Sequence, residues 1–298
     1  MKVASPHLSQ RNPFKALLFL VLLCASQVVL FVPVANAATP QLDCVSACPA
    51  ESGSFANANG GQVSLSGQTL STTSSSPLII ALLYFSLPSR DITVNSVTAG
   101  GTSMLQECAV SGASVSIAIY YLIGSGTSFA IAATATKGVG GSADGDLIAF
   151  GVSGYATTGS PASPVFDGAC STSSGTGNPS LAVATTYAND FVFAAAAVAA
   201  SSATISSGTS IASASASSSL VGVAGYDYGE VGTSSYTLSW TASGSPSWQE
   251  MGAAVENQSP SPVPLLPYGV LPFLIVIPAL YSYLRSRTSI QNAKGDKK

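Results

Sequence analysis

Two runs decide the fold: LIIALLYF at Leu78–Phe85 and FVFAAAAV at Phe191–Val198. Both are unbroken stretches of apolar side chains. A strand with one face in water alternates apolar and polar residues, so an unbroken run predicts a central strand covered on both faces. Run length alone leaves a helix open for the alanine-rich second run.

The flanking sequence argues for strands. Val115, Ile117, Ile119, Tyr121 and Ile123 fall on one face at a two-residue period. Phe129, Ile131, Ala133 and Ala135 form a second such face, and Tyr236, Leu238, Trp240 and Ala242 a third. This period is that of a half-buried strand. Glycine pairs and triplets at 100–101, 124–126, 138–141 and 175–177 punctuate the runs as turns. Residues 38–257 are therefore expected to be all-β, an antiparallel sandwich or jelly roll. The segment 114–129 echoes 219–236: strand, glycine turn, Gly-Thr-Ser, aromatic residue, strand. A second Gly-Thr-Ser precedes each copy, at 101–103 and 208–210. The echo predicts two similar halves. One sandwich assembled from both is preferred to two tandem sandwiches.

Charge is scarce and segregated. Only 8% of the 298 residues are charged, and mean hydropathy is +0.42. Soluble domains carry about 25% charged residues. Ser and Thr, about a quarter of the chain, take their place. Ten Lys and Arg with a pI near 5.0 leave no electrostatic footprint for nucleic acid. The net charge of −3 conceals two basic ends around an acidic middle that holds Arg90 and Lys137 as its cations.

The ends read as membrane-directing segments. Residues 1–37 combine a basic start, an apolar stretch from Ala16 and the small-x-small triplet Ala35-Asn36-Ala37. This is the pattern of a signal peptide cut after Ala37 or Ala38. Its alternative is an uncleaved signal-anchor. Residues 265–284 are uncharged and, at about 1.5 Å per helical residue, span about 30 Å, one hydrocarbon core. Arg285 and Arg287 follow, so the tail 285–298 is expected in the cytoplasm and the ectodomain outside. The proline-rich stretch 258–264 is a semi-rigid spacer ahead of the single-pass span. Signal, β-ectodomain, spacer, span and basic tail together resemble the secreted, C-terminally anchored β-sandwich surface proteins of archaea and Gram-positive bacteria. That resemblance is architectural. It implies a structural, adhesive or interaction role at the cell surface, with envelope proteins, glycans or further copies of the chain as partners.

Chemistry-bearing residues are few. The one histidine, His7, lies in the signal, which excludes histidine-based triads and histidine metal sites from the mature chain. No catalytic motif or cofactor site is read. Asp144 and Asp146, two apart in an acidic glycine stretch, are a Ca²⁺ candidate beside the plainer reading of a turn. The alternative function is a carbohydrate-binding module or a carboxylate-based glycoside hydrolase. It would draw on Glu107, Asp227, Glu230 and Glu250 as acids, with Tyr226, Tyr228, Trp240 and Trp248 as stacking surfaces. Lys137 is expected to be an exposed turn residue. Asn257 heads a glycosylation sequon, Asn-Gln-Ser. Cys44, Cys48, Cys108 and Cys170 form an even set outside the cytoplasm and are expected as two disulfides. A Cys44–Cys48 ring is very tight, so each of these two is expected to bond to Cys108 or Cys170.

Overall fold

The computed structural model describes residues 39–257 except 159–162, 165, 188, 218 and 229–234. The signal, spacer, span and tail lie outside the described residues. No helix among the described residues is long and apolar enough to cross a membrane.

The described chain is all-β and its pairing is antiparallel throughout. The first half holds β1 (Gln41–Leu42), β2 (Ala50–Ser54), β3 (Gln62–Ser71), β4 (Leu78–Phe85), β5 (Ile92–Ala99), β6 (Thr102–Ser103), β7 (Leu105–Ser111), β8 (Ser116–Ile123), β9 (Ser128–Lys137) and β10 (Asp144–Ser153). A ribbon of β11 (Thr157–Thr158) and β12 (Ser163–Pro164) follows. The second half holds β13 (Ser171–Thr176), β14 (Ser180–Ala184), β15 (Phe191–Val198), β16 (Ala203–Ser207), β17 (Thr209–Ser217), β18 (Leu220–Tyr228), β19 (Ser235–Ala242) and β20 (Ser247–Val255).

Each half builds two sheets. In the first, an inner sheet runs β1-β10-β4-β8-β7, with β2 also on β10, and an outer sheet runs β3-β9-β5-β6. In the second, the inner sheet runs β13-β20-β15-β18-β17 and the outer sheet β14-β19-β16. Strand for strand the orders correspond, with β4 matching β15, β8 matching β18 and β10 matching β20. The echoed segments 114–129 and 219–236 occupy equivalent places in this plan.

The two halves do not merge into one two-sheet sandwich. Each half is a sandwich with its own core, and the inner sheets pack face to face over a third core. The quoted runs show why. Along β4, Leu78, Ile80, Leu82 and Tyr84 enter the middle core, while Ile79, Ala81, Leu83 and Phe85 enter the first outer core. Along β15, Phe191, Phe193, Ala195 and Ala197 enter the middle core, and Val192, Ala194, Ala196 and Val198 the second outer core. Successive strand side chains point to opposite faces, so only a strand with sheets on both sides can be apolar at every position. Every residue of both runs is buried. Fully burying a Leu, Ile, Val or Phe side chain contributes about 1.5–3 kcal/mol, and these strands bury large side chains on two faces at once.

The halves approach closely where the sequence permits. A Cβ on Gly222 would lie 2.6 Å from Cδ2 of Tyr84, so a glycine at that point lets the tyrosine ring sit against the backbone of β18. The Tyr84 hydroxyl then donates to the Val223 carbonyl at 3.2 Å, joining the two inner sheets.

Candidate functional site

Six acids are buried among the described residues: Asp43, Asp144, Asp146, Asp167, Asp190 and Glu250. Neither cation of the described residues serves them. Arg90 faces Asp91 on the surface at 3.8 Å, the one ion pair among the described residues. Lys137 is not an exposed turn residue. It is fully buried as the last residue of β9, and its Nζ donates to the Gly141 carbonyl. Counting by twos from Phe129 reaches Lys137, so it continues the inward face of β9. The loop after it folds back to satisfy the ammonium. The buried acids must instead be met by neutral donors or by protons.

Asp43 shows the first solution. Its carboxylate accepts from the Thr73 amide and hydroxyl at 2.7 Å and from the Ser74 amide at 2.9 Å. Asp144 and Asp146, the Ca²⁺ candidates, are strand residues rather than a loop pair. They open β10 on the face that continues through Ile148, Phe150 and Val152 into the middle core. Asp144 accepts from the hydroxyls of Ser54 and Ser219, both at 2.7 Å, and Asp146 from the Gly222 amide at 3.1 Å. Ser219 and Gly222 belong to the second half, so this pair joins the halves. Burial, then the Asp146 charge, pushes the Tyr84 phenol well above its ordinary value. Among the described residues no group of three His, Cys, Asp or Glu side chains could hold a metal ion.

Glu250 shows the second solution. It lies in β20 on the face toward β14 and the second outer core, fully buried. Neither carboxyl oxygen makes a well-formed hydrogen bond. Burial pushes the group up to about 8, with the Ser180 backbone only softening the shift. Burial therefore favours the protonated, neutral form of Glu250.

A third arrangement gathers three acids where the chain leaves the β body. Asp167 lies in the segment joining the halves, Asp190 just before β15, and Glu256 just after β20. Asn189, in the left-handed region at φ 64°, turns the chain into Asp190, as the Asn-Asp pair in the sequence suggests. Phe166 bridges Val255, Tyr155 bridges Asn257, and the Asp167 amide donates to the Ala254 carbonyl at 2.9 Å. The joining segment therefore runs along the exit of β20. The Asn257 amide donates to Oδ1 of Asp190 at 3.1 Å, and the Thr186 amide donates to Asp167. Asp167 and Asp190 lie close enough for each to shift the other. Burial first, then Asp167 and Glu256, pushes Asp190 up to about 7 despite the Asn257 amide. Burial also lifts Asp167, but hydrogen bonds from Thr186, Asp190 and Tyr187 outweigh it and leave Asp167 below its ordinary value. Burial, then the Asp167 charge, raises Glu256.

The structure separates the remaining candidates. Trp240 and Trp248 are buried in the second outer core and present no stacking surface. Glu107 lies on the edge strand β7, and Asp227 near the end of β18, where it accepts from the Tyr228 amide. These acids and Glu250 do not converge. Glu230 lies outside the described residues. Tyr226 and Tyr228 stay together, 5.2 Å between ring centroids, with Tyr226 stacked on Phe191 at 5.4 Å. Asn257 is half-buried with its Oδ1 enclosed. A shallow groove of about 310 Å³ opens between β5 and the β7–β8 pair, lined by Val94, Gln106, Ala109, Ser116 and Tyr120 and by none of the acids.

The cysteines form two disulfides, but not in the expected pairing. Cys44 bonds Cys48, with Cα atoms 5.5 Å apart, and Cys108 bonds Cys170, with Cα atoms 6.6 Å apart. β1 and β2 pair with successive stretches of the same strand, β10, so the chain between them bends out and back. That bend, at residues 45–47, brings the two ends of the tight ring together. Cys108 sits on β7 and Cys170 immediately before β13, so the second bond ties the edge of one inner sheet to the edge of the other.

No protein-family model matches the chain, and no match is found among curated proteins or solved structures.

Proposed function

We propose that the chain is a membrane-anchored cell-surface protein with a structural, adhesive or interaction role. Its parts would be a signal segment, a two-half β ectodomain, a short proline spacer, one span and a basic cytoplasmic tail. The Cys108–Cys170 bond is the observation that carries this reading. It joins two halves that already share a core, and such bonds persist outside the cytoplasm. The four-layer body supports the reading, since a stack of sheets locked at its edge suits a part that resists deformation. A carbohydrate-directed role is the alternative, and the Tyr226–Tyr228 pair beside Asp227 is what it would draw on.

The test is protease shaving of intact cells combined with thiol labelling. The ectodomain should be cut from outside while the tail stays protected, and Cys44, Cys48, Cys108 and Cys170 should resist alkylation until reduced. Recovery of the intact chain in the cytoplasm with free thiols would overturn the proposal.

A further inference from the structure

We infer that β13 is the edge through which two copies of the chain join, with β13 of one pairing antiparallel to β13 of the other about a two-fold axis at Ser174. This gives the interaction role proposed above a partner and a surface. It rests on that role and not on the membrane anchor.

The free edges of the sheets are not alike. An unpaired edge strand is a template for a further strand, and bulges, charges or a covering element block it. β3 is bulged between Ser66 and Gln68, β5 between Val94 and Ser96, β7 between Gln106 and Cys108, and β16 between Ile205 and Ser207. β17 is interrupted twice. β2 lies against β3 and β17, and β1, β6, β11 and β12 are two residues long. β13 has none of these guards. It pairs with β20 from Ser171 opposite Gly252 to Thr176 opposite Ser247 without a shift, and no other described strand pairs with it. β14, beside it in the outer sheet, is likewise unbulged, so this side of the second half is open.

The register of β13 fixes what its open side offers. The Gly177 amide donates to the Pro246 carbonyl at 2.9 Å, so the position after β13 is a hydrogen-bonded pair with the chain entering β20. Such pairs alternate along an antiparallel ladder. Ser171, Ser173 and Gly175 therefore bond to β20, while Thr172, Ser174 and Thr176 turn their amides and carbonyls outward. All three are exposed. A two-fold axis at Ser174 sets each outward residue against another: Thr172 against Thr176, Ser174 against its own copy, and Thr176 against Thr172. Each opposed pair exchanges two backbone bonds, about six in all, and the facing Ser and Thr hydroxyls add cross-strand contacts. Two five-stranded inner sheets become one.

Charge and rigidity favour a copy of the chain as the partner. An acidic body repels its own copy, and Arg90 and Lys137 are the cations of residues 39–257, so a self-contact needs uncharged ground. Residues 168–189 carry no charge. The edge is also held in shape before any partner arrives. Cys108–Cys170 pins its start to β7. The Ala242 amide on the Asn178 side chain and the Trp240 amide on the Pro179 carbonyl pin the turn after it. Pre-organisation of this kind lowers the ordering cost of association.

The experiment is sedimentation equilibrium of the full-length chain in density-matched detergent over a concentration series. The wild type should be a dimer that dissociates on dilution. Ser174→Lys and Ser174→Glu each place like charges face to face at the axis and should raise the dissociation constant by roughly tenfold or more. Both alter an exposed side chain, so the fold is retained. Mixing the two variants should restore dimers, because the charges opposed across the axis then differ in sign. Ser64→Lys, on the bulged edge strand β3, should leave the dimer intact. A monomeric wild type would overturn the inference and leave the edge to a strand of a different protein. Dimers persisting in both charged variants, no recovery on mixing, or loss of the dimer in Ser64→Lys would overturn it as well. Protease shaving decides the surface role separately, so the two readings can fail independently.

Discussion

The two halves meet along two seams that are equivalent by strand order and closed by different chemistry. In one, β17 and β18 of the second half lie against β2 and β10 of the first. That seam is closed by hydrogen bonds, with Asp144 held between Ser54 and Ser219 and Asp146 on the Gly222 amide. In the other, β7 and β8 of the first half lie against β20 of the second. That seam is closed by Cys108–Cys170, with the Cys108 sulfur 3.5 Å from the Met251 sulfur. Aligning β4 with β15 end to end makes the difference residue-specific. Asp146 pairs with Tyr84 and its equivalent, Gln249, pairs with Ala197. One seam buries a carboxylate, and the other buries a neutral amide beside a covalent bond. A repeated topology thus leaves each interface free to choose its chemistry. It also makes one seam sensitive to reductant and the other not.

Breaking the covalent seam should have the largest effect. In the chain-entropy model, a bond across 62 residues contributes about 4 kcal/mol. The double substitution Cys108→Ser, Cys170→Ser should lower the melting temperature of the full-length chain by about 10 °C. The Cys44–Cys48 ring closes only 4 residues and should contribute about 2 kcal/mol in the same model. Thermal unfolding with and without reductant measures both. Equal losses from the two double variants would mean that the inter-half bond carries no special share.

The inner strands supply the next test. The same alignment matches Leu147, opposite Leu83, with Glu250, opposite Ala196. One half has leucine and the other an acid pushed up to about 8 by burial. Glu250 is raised in the folded state above its ordinary value of 4.5. The native state therefore retains a proton that the unfolded chain loses. Its contribution is complete below about pH 4.5 and declines as pH rises to about 8. Glu250→Leu should flatten this decline and raise stability by a few kcal/mol at the alkaline end. Denaturant titrations across that range check it, and a wild-type slope retained in Glu250→Leu would refute it.

Much of this plan was legible in the sequence. The three alternating faces were read correctly as strands, and each lines one core. Val115, Ile117 and Ile119 line the middle core, Phe129 to Ala135 the first outer core, and Leu238 to Ala242 the second. The unbroken runs signalled cover on both faces. Periodicity does not name the covering layer, because the partner of β4's second face lies more than a hundred residues away in the chain. The acids were harder. Asp144 and Asp146 beside glycine look like a wet turn, and only the approach of Ser219 and Gly222 makes them interior. Lys137 had a usable signal in the phase of β9, which its neighbouring glycines masked. The placing of Asp167 beside the exit of β20 depends on the path of the joining segment and has no local sequence signature. The tightness of the Cys44–Cys48 ring pointed away from the bond that forms, because the shared partner strand of β1 and β2 could not be foreseen.

Breaking the polar seam should cost less than breaking the covalent one. Asp144→Ala removes an acceptor from the Ser54 and Ser219 hydroxyls, both exposed enough for water to take its place, so the loss should be that of a net hydrogen bond apiece, about 0.5–1.5 kcal/mol. The two seams share no partner among these residues, so their losses should add to within about 0.5 kcal/mol. A combined variant tests this directly. A loss well beyond the sum would show that each seam holds only while the other is intact.

The smallest loss from deleting a polar group is expected at the point between the seams. Tyr84 reaches from β4 to the Val223 carbonyl at 3.2 Å, and its ring rests on Gly222. Tyr84→Phe keeps the ring contact and removes the hydroxyl, which should cost about 1 kcal/mol. Gly222→Ala tests the ring contact itself, since its Cβ would fall 2.6 Å from Tyr84. Overpacking of this kind costs about 1–3 kcal/mol. In the Tyr84→Ala background the same alanine has room. The alanine penalty should therefore shrink there, and a penalty of the same size in both backgrounds would mean that the halves are not held apart by this ring.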